Sequence, residues 1–163
     1  VNVEIAGVFN GSTATVLRDY FLLDVDCTGS GTLLNMPCSL DPISVLLSFT
    51  GDLTGQFLMG FQPEQGLQMA RSMLGIPDYP QFDDLCQSAI SELGNMICGM
   101  TAMRLSEMGY MCQIAPPVIL INDGALMSFG VPTLISQPVT TSFGEFRISI
   151  GMSQTAITAP VSR

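Results

Sequence analysis

The sequence predicts an α+β fold in which two long helices pack on a largely antiparallel sheet of about six strands. Three observations lead there. Short runs alternate apolar and polar residues and are joined by tight turns, two segments carry helical periodicity, and the order of helix and strands occurs twice along the chain. That recurrence reads as a pseudo-two-fold internal repeat. A short echo supports it, Gly55-Gln56-Phe57 against Gly144-Glu145-Phe146, near the start of the last strand of each half. One domain spanning residues 1–163 is expected.

The first helix is expected over residues 9–23, entered through Asn10 or Ser12 as N-cap, with Val16, Tyr20 and Leu23 at helical spacing. A poorly defined strand follows near 24–36. Ile43, Val45, Leu47 and Phe49 then alternate with serines as a half-buried strand requires. Phe57, Met59 and Phe61 alternate in the next run, and Gly51-Asp52 supplies the turn of a hairpin. Pro63-Glu64 opens a short helix that Gly75 ends, with Ile76-Pro77 beyond. The longest helical pattern runs from Phe82 to Met108 and stops at Gly109-Tyr110. Strands are expected near 110–121, 130–140 and 144–152; the last sets Phe146, Ile148, Ile150 and Met152 against Glu145, Arg147 and Ser149.

Composition removes whole classes of chemistry. The 163 residues include 14 Asp+Glu against 5 Lys+Arg and no His, a formal charge of -9. All five cations are arginine (Arg18, Arg71, Arg104, Arg147 and Arg163), so there is no lysine. Histidine-based triads, HExxH zinc sites, Walker lysines and lysine Schiff bases are therefore excluded. Nucleic acid is not expected as a partner, because affinity for it depends on neutralising many phosphates. Partners should present positive charge, or an acidic group already neutralised by a metal.

The five cysteines, at 27, 38, 86, 98 and 112, form no CxxC pair and leave one over. They fit a reduced, cytoplasmic setting with mostly buried thiols better than a zinc knuckle or a disulfide framework. Neither a membrane span nor a signal segment is expected: the run Val118-Ile119-Leu120-Ile121 is far too short, and VNVEIAG has no basic region.

The segment 84–106 carries the functional signal. On a helical wheel, Ala89, Ile90, Leu93, Ile97 and Met100 share a broad apolar side, which is core. Opposite runs a stripe of Asp84, Ser88, Ser91, Glu92, Asn95, Gly99, Ala102 and Ser106, with Met96 and Met103 along one edge. Glu92 and Asn95 are three apart, so both point from the same surface. Polar stripes occur on any half-buried helix. Here, however, Asn is a poor helix former, and Gly94 and Gly99 each cost about 1 kcal/mol relative to Ala, so a purely structural face had better options.

Ser88-x-x-x-Glu92-x-x-Asn95 followed by Pro117 resembles the Asp/Ser-x3-Glu-x2-Asn motif, with downstream proline, of the CheC/CheX family of chemotaxis phosphatases, and most closely its CheX-like members. The flanks are similar too: LTGQFLMGFQPEQGLQMARSMLG before the helix, SELGNMICGMTAMRLSEMGYMCQIAPPVIL through it, and GVPTLISQPVTTSFGEFRISI near the end. Together they cover most of residues 43–152, whereas residues 1–42 match loosely. One copy of the motif is present, as in CheX-like members, not the two of CheC-type members.

The resemblance implies a CheC-like fold and a phosphatase acting on the phospho-aspartate of a CheY-type response regulator. It assigns Asn95 to placing the attacking water and Glu92 to pairing with the regulator's lysine. Ser88, Ser91, Met96 and Gly99 would contact the partner, and Pro117 looks structural. No cofactor of the chain's own is expected, since Mg2+ belongs to the regulator, and a homodimer is expected. A second reading is a non-catalytic module of the same fold, as in flagellar switch proteins, docking without hydrolysis.

Two weaker features read as structure. Gly29-Ser30-Gly31 resembles the opening of a nucleotide-binding loop, but no GxGxxG follows. Asp24, Asp26 and Asp83-Asp84 lack calcium-loop spacing, and the last pair suits a helix N-terminus.

Overall fold

The computed structural model describes residues 3–154, so Arg163 lies outside the described residues. Helix α1 spans Val3–Phe21, followed by short strands β1 (Val25–Asp26), β2 (Thr32–Asn35) and β3 (Cys38–Ser39) and the long hairpin β4 (Ile43–Gly51) and β5 (Leu53–Phe61). Helix α2 (Pro63–Leu74) leads to α3 (Asp84–Glu107). Then come short strands β6 (Cys112–Ile114), β7 (Val118–Ile121) and β8 (Leu126–Met127) and a second long hairpin, β9 (Thr133–Thr141) and β10 (Gly144–Gln154).

The expected repeat is present and runs deeper than helix plus three strands. Each half is a helix, three short strands and a long hairpin, with α2 between the halves. Pairing obeys the same exchange. β1 and β2 both lie along β9, as β6 and β7 both lie along β4, while β3 meets its equivalent β8 and β5 meets its equivalent β10.

The expectation of about six strands needs correcting to an 8-stranded antiparallel sheet plus a 2-stranded ribbon, β3-β8. The sheet is nevertheless six positions wide, in the order β1-β9-β10-β5-β4-β6, because two short strands share each edge. The single strands expected near 24–36 and 110–121 are each broken, the first at Cys27 to Gly31 and the second at Ala115-Pro116-Pro117. Proline lacks the N–H that a ladder needs, which accounts for the second break.

The first helix also needs correction, for it begins at Val3 and encloses Asn10 and Ser12. Small polar residues look like caps in sequence, yet hydroxyls survive inside a helix by bonding the preceding turn. Thr13 Oγ1 donates to the Phe9 carbonyl at 2.9 Å and Thr15 Oγ1 to that of Gly11 at 2.8 Å. From the last turn of α3, the Arg104 guanidinium donates to Ser12 Oγ at 3.3 Å and Thr15 Oγ1 at 2.8 Å, tying the two long helices together.

The remaining elements follow their sequence signals. Pro63 stands in the first turn of α2, and Gly75 ends it at φ 67°. In the β4–β5 turn, Gly51 has φ 132°, and a Cβ there would stand 2.2 Å from the Met111 carbonyl oxygen, so only glycine fits. The helices cover one face of the sheet. Phe9 of α1 stacks on Phe57 with ring centroids 5.4 Å apart, beside Val45, Leu47, Phe49, Met59 and Ile148. A smaller core of Cys38, Val131 and Leu134 lies apart from it.

Candidate functional site

Helix α3 is held firmly at its start. Asp83 is the N-cap, its carboxylate accepting from the Leu85 and Cys86 N–H groups at 3.1 and 3.2 Å and from the Tyr79 hydroxyl at 2.6 Å. The Tyr79 hydrogen bond, reinforced by those N–H groups, holds the Asp83 carboxyl below the usual carboxylate range and pushes the Tyr79 phenol up to about 12. Asp83-Asp84 therefore serves the helix terminus. Asp26, the other acid that invited a metal reading, accepts from Thr28 N and Oγ1 at 2.7 and 2.6 Å.

The buried side of α3 comprises Cys86, Ile90, Leu93, Gly94, Ile97, Cys98, Thr101 and Leu105. The wheel placed Met100 and Ala89 fully in this core, but both are only half-buried, and Gly94 takes the most intimate position. A Cβ on Gly94 would stand 2.8 Å from Leu47 Cδ1 and 3.3 Å from Met59 Cε. Glycine here is thus a packing requirement, and the sequence argument that counted it toward a functional face holds for Gly99 alone. Beside Gly99 an added Cβ would meet nothing within 4 Å.

On the opposite side the predicted residues come together. Ser88, Glu92, Asn95 and Gly99 are exposed, and Ser91 and Met96 are half-buried at the margin. Among the described residues, no hydrogen bond or ion pair engages the Glu92 or Asn95 side chain; the ion pair found is Arg147–Asp41, at 3.0 Å. Leu93 and Gly94 lie buried between them, so the helix is anchored at the very turn that presents the pair. A carboxylate and a carboxamide displayed this way offer an anion for an incoming cation, and a neutral group that can both accept from and donate to one water. No cluster of three His, Cys, Asp or Glu residues able to hold a metal occurs among the described residues. No helix among them is long and apolar enough to cross a membrane.

Sequence reasoning missed the neighbouring groove. Val16 and Tyr20 of α1 face Met96, Gly99, Met100 and Met103 of α3 across a depression of about 270 Å³. Val16 and Tyr20, which share a helical spacing in the sequence, differ in burial: Val16 is buried and Tyr20 is 62% exposed. No local signal reveals this, because the groove exists only where α1 lies against α3. Pro117 is half-buried at the entry to β7, a structural position.

The family model for the chemotaxis phosphatase CheX matches residues 43–140. The CheY-P phosphatase CheX of Thermotoga maritima is 30% identical over 132 residues, covering 80% of this chain and 84% of that protein. A chemotaxis protein CheX from Desulfovibrio desulfuricans superposes with TM-score 0.81 at 26% identity, covering 92% of this chain and 99% of the other. CheX in the CheX-CheY-BeF3-Mg2+ complex of Borrelia burgdorferi shares the fold with TM-score 0.77 at 21% identity, over 94% and 100% of the two chains.

Proposed function

The chain belongs to the CheX family of chemotaxis phosphatases, and from that membership we propose that it hydrolyses the phospho-aspartate of a CheY-type response regulator. The observation that carries the residue assignment is the exposed pair Glu92 and Asn95, free of partners among the described residues and backed by buried Leu93 and Gly94. An acyl phosphate is already activated, and its carrier supplies both Mg2+ and a lysine. What remains for a helper is to hold a water in line with the bond to be broken.

In this reading the Asn95 carboxamide orients that water. The water oxygen attacks phosphorus as the phosphorus–oxygen bond to the aspartate breaks; inorganic phosphate departs carrying both water protons, and the regulator keeps its free carboxylate. Glu92 pairs with the regulator's lysine and sets the docking register. Ser88, Ser91, Met96 and Gly99 lie against the regulator around them. The chain needs no cofactor of its own, acts in the cytoplasm where such regulators work, and forms a homodimer, which sedimentation equilibrium tests.

The alternative is docking on the same fold without hydrolysis. Presence of both Glu92 and Asn95 favours hydrolysis. Phosphoryl-group decay on CheY-type regulators from the same genome, with and without this chain, decides between the two. Acceleration supports the phosphatase, and binding without acceleration supports the docking module.

A further inference from the structure

Resting on the docking of a phosphorylated regulator onto α3, we infer that the groove between α1 and α3 seats an apolar side chain of that regulator, aliphatic or aromatic, and that Gly99 keeps the seat open. Its walls are Val16 and Tyr20, one turn apart on α1, and Met96, Met100 and Met103 on α3. No charged side chain lines it, although the chain carries a net charge of -9. An apolar group therefore fits the seat, whereas the regulator's cationic group has Glu92 to meet it. The rim is apolar and open to solvent, with Tyr20 62% and Met103 56% exposed. Flexible thioethers let such walls close around side chains of differing shape.

The groove is continuous with the Glu92–Asn95 face. Met96 follows Asn95 directly and Met103 lies eight residues on, so at 1.5 Å per residue the seat extends from roughly 1.5 to 12 Å along the helix from Asn95, with Gly99 about 6 Å away. A partner whose phosphorylated aspartate faces Asn95 covers the groove with the same surface. Gly99 supplies a second, independent argument. Gly94 is required by its contact with Leu47, but nothing in the fold occupies the space beside Gly99, and glycine within a helix lowers its stability. Intramolecular packing does not account for Gly99, and a side chain there would project into the groove.

The test compares Gly99→Phe, which fills the seat, with Gly99→Ala, which scarcely narrows it, and with wild type. Phosphoryl decay is followed against concentration of this chain, and binding of the beryllofluoride-activated regulator is measured in parallel by calorimetry. Thermal melts verify folding. The expected result is a tenfold or larger rise in half-saturating concentration and in Kd for Gly99→Phe, a smaller effect on the rate at saturation, and at most a threefold rise for Gly99→Ala. Wild-type affinity in a folded Gly99→Phe protein overturns the proposal, as does a lost maximal rate with unchanged half-saturation. If wild type binds without accelerating decay and Gly99→Phe weakens that binding, the seat stands and the phosphatase reading fails. If wild type accelerates decay and Gly99→Phe is indifferent, only the seat fails. No wild-type binding to any regulator of this class overturns both.

Discussion

Gly94 of α3 lies directly on Leu47 of β4, so close that a single added carbon would come within 2.8 Å of the leucine Cδ1. The neighbouring residue in sequence, Asn95, is exposed on the other side of the helix. The contact that sets the depth of the helix on the sheet is thus adjacent in the chain to the group proposed to handle the water. Gly94→Val should overpack this contact and cost about 1 to 3 kcal/mol, read as a shift in urea midpoint. Gly99→Ala should instead stabilise by roughly 0.5 to 1 kcal/mol, because it gains helix propensity in open space. Equal responses at the two glycines would contradict the described packing.

Asn95→Ala should leave the melting temperature nearly unchanged, since the side chain is exposed. It should lower the rate of regulator dephosphorylation by a factor of about 10² to 10³, or about 3 to 4 kcal/mol, typical for loss of a positioning or transition-state group. Near-normal turnover by the variant would remove Asn95 from the mechanism.

Glu92→Gln keeps the shape of the site and removes its charge. Association with the regulator should weaken and become less sensitive to salt, because a screened ion pair has been lost. Titrations of the regulator at low and high ionic strength measure this, and wild-type salt dependence in the variant would show that Glu92 meets no cation.

The acceleration given over the regulator's own decay, at saturation, should be nearly flat between pH 6 and 8. The chain has no histidine, Asn95 does not ionise, and burial pushes the Cys98 thiol of α3 up to about 12 and raises that of Cys86. A tenfold change across that window, absent from the regulator alone, would demand a titrating group that the proposed site lacks.

The Tyr79–Asp83 hydrogen bond should limit the pH range over which the start of α3 is secure. The Asp83 carboxyl is held below its ordinary value when folded, so its stabilising effect is full above about pH 4 and is lost as pH falls through the lower folded value. The Tyr79 phenol is raised to about 12, so its share is full below about pH 10 and disappears as pH rises through 12. Tyr79→Phe should lower the melting temperature most between about pH 4 and 10 and flatten its fall at both ends, and an unchanged pH profile would show that the bond does not support the helix.

Much of this molecule was legible in local signals. Alternation exposed the β4–β5 hairpin and the strand β10, Pro63 and Gly75 bounded α2, and Asp83 and Gly109 bounded α3, because strand pleat, helix period and backbone stereochemistry act within a few residues. The spacing of Ser88, Glu92 and Asn95 likewise determined that they share a face, since a helix of any context brings such positions together. Only the tertiary structure decided which helical glycine packs and which lies open. Gly94 and Gly99 look alike in sequence, and the difference comes from Leu47 and Met59, more than thirty residues away in the chain. The same holds for Ser12, whose cap-like chemistry gave way to contact with Arg104, and for Tyr20, whose exposure depends on how α1 lies beside α3. Helix depth and the groove are properties of side chains meeting across long loops, and no periodicity within one segment records them.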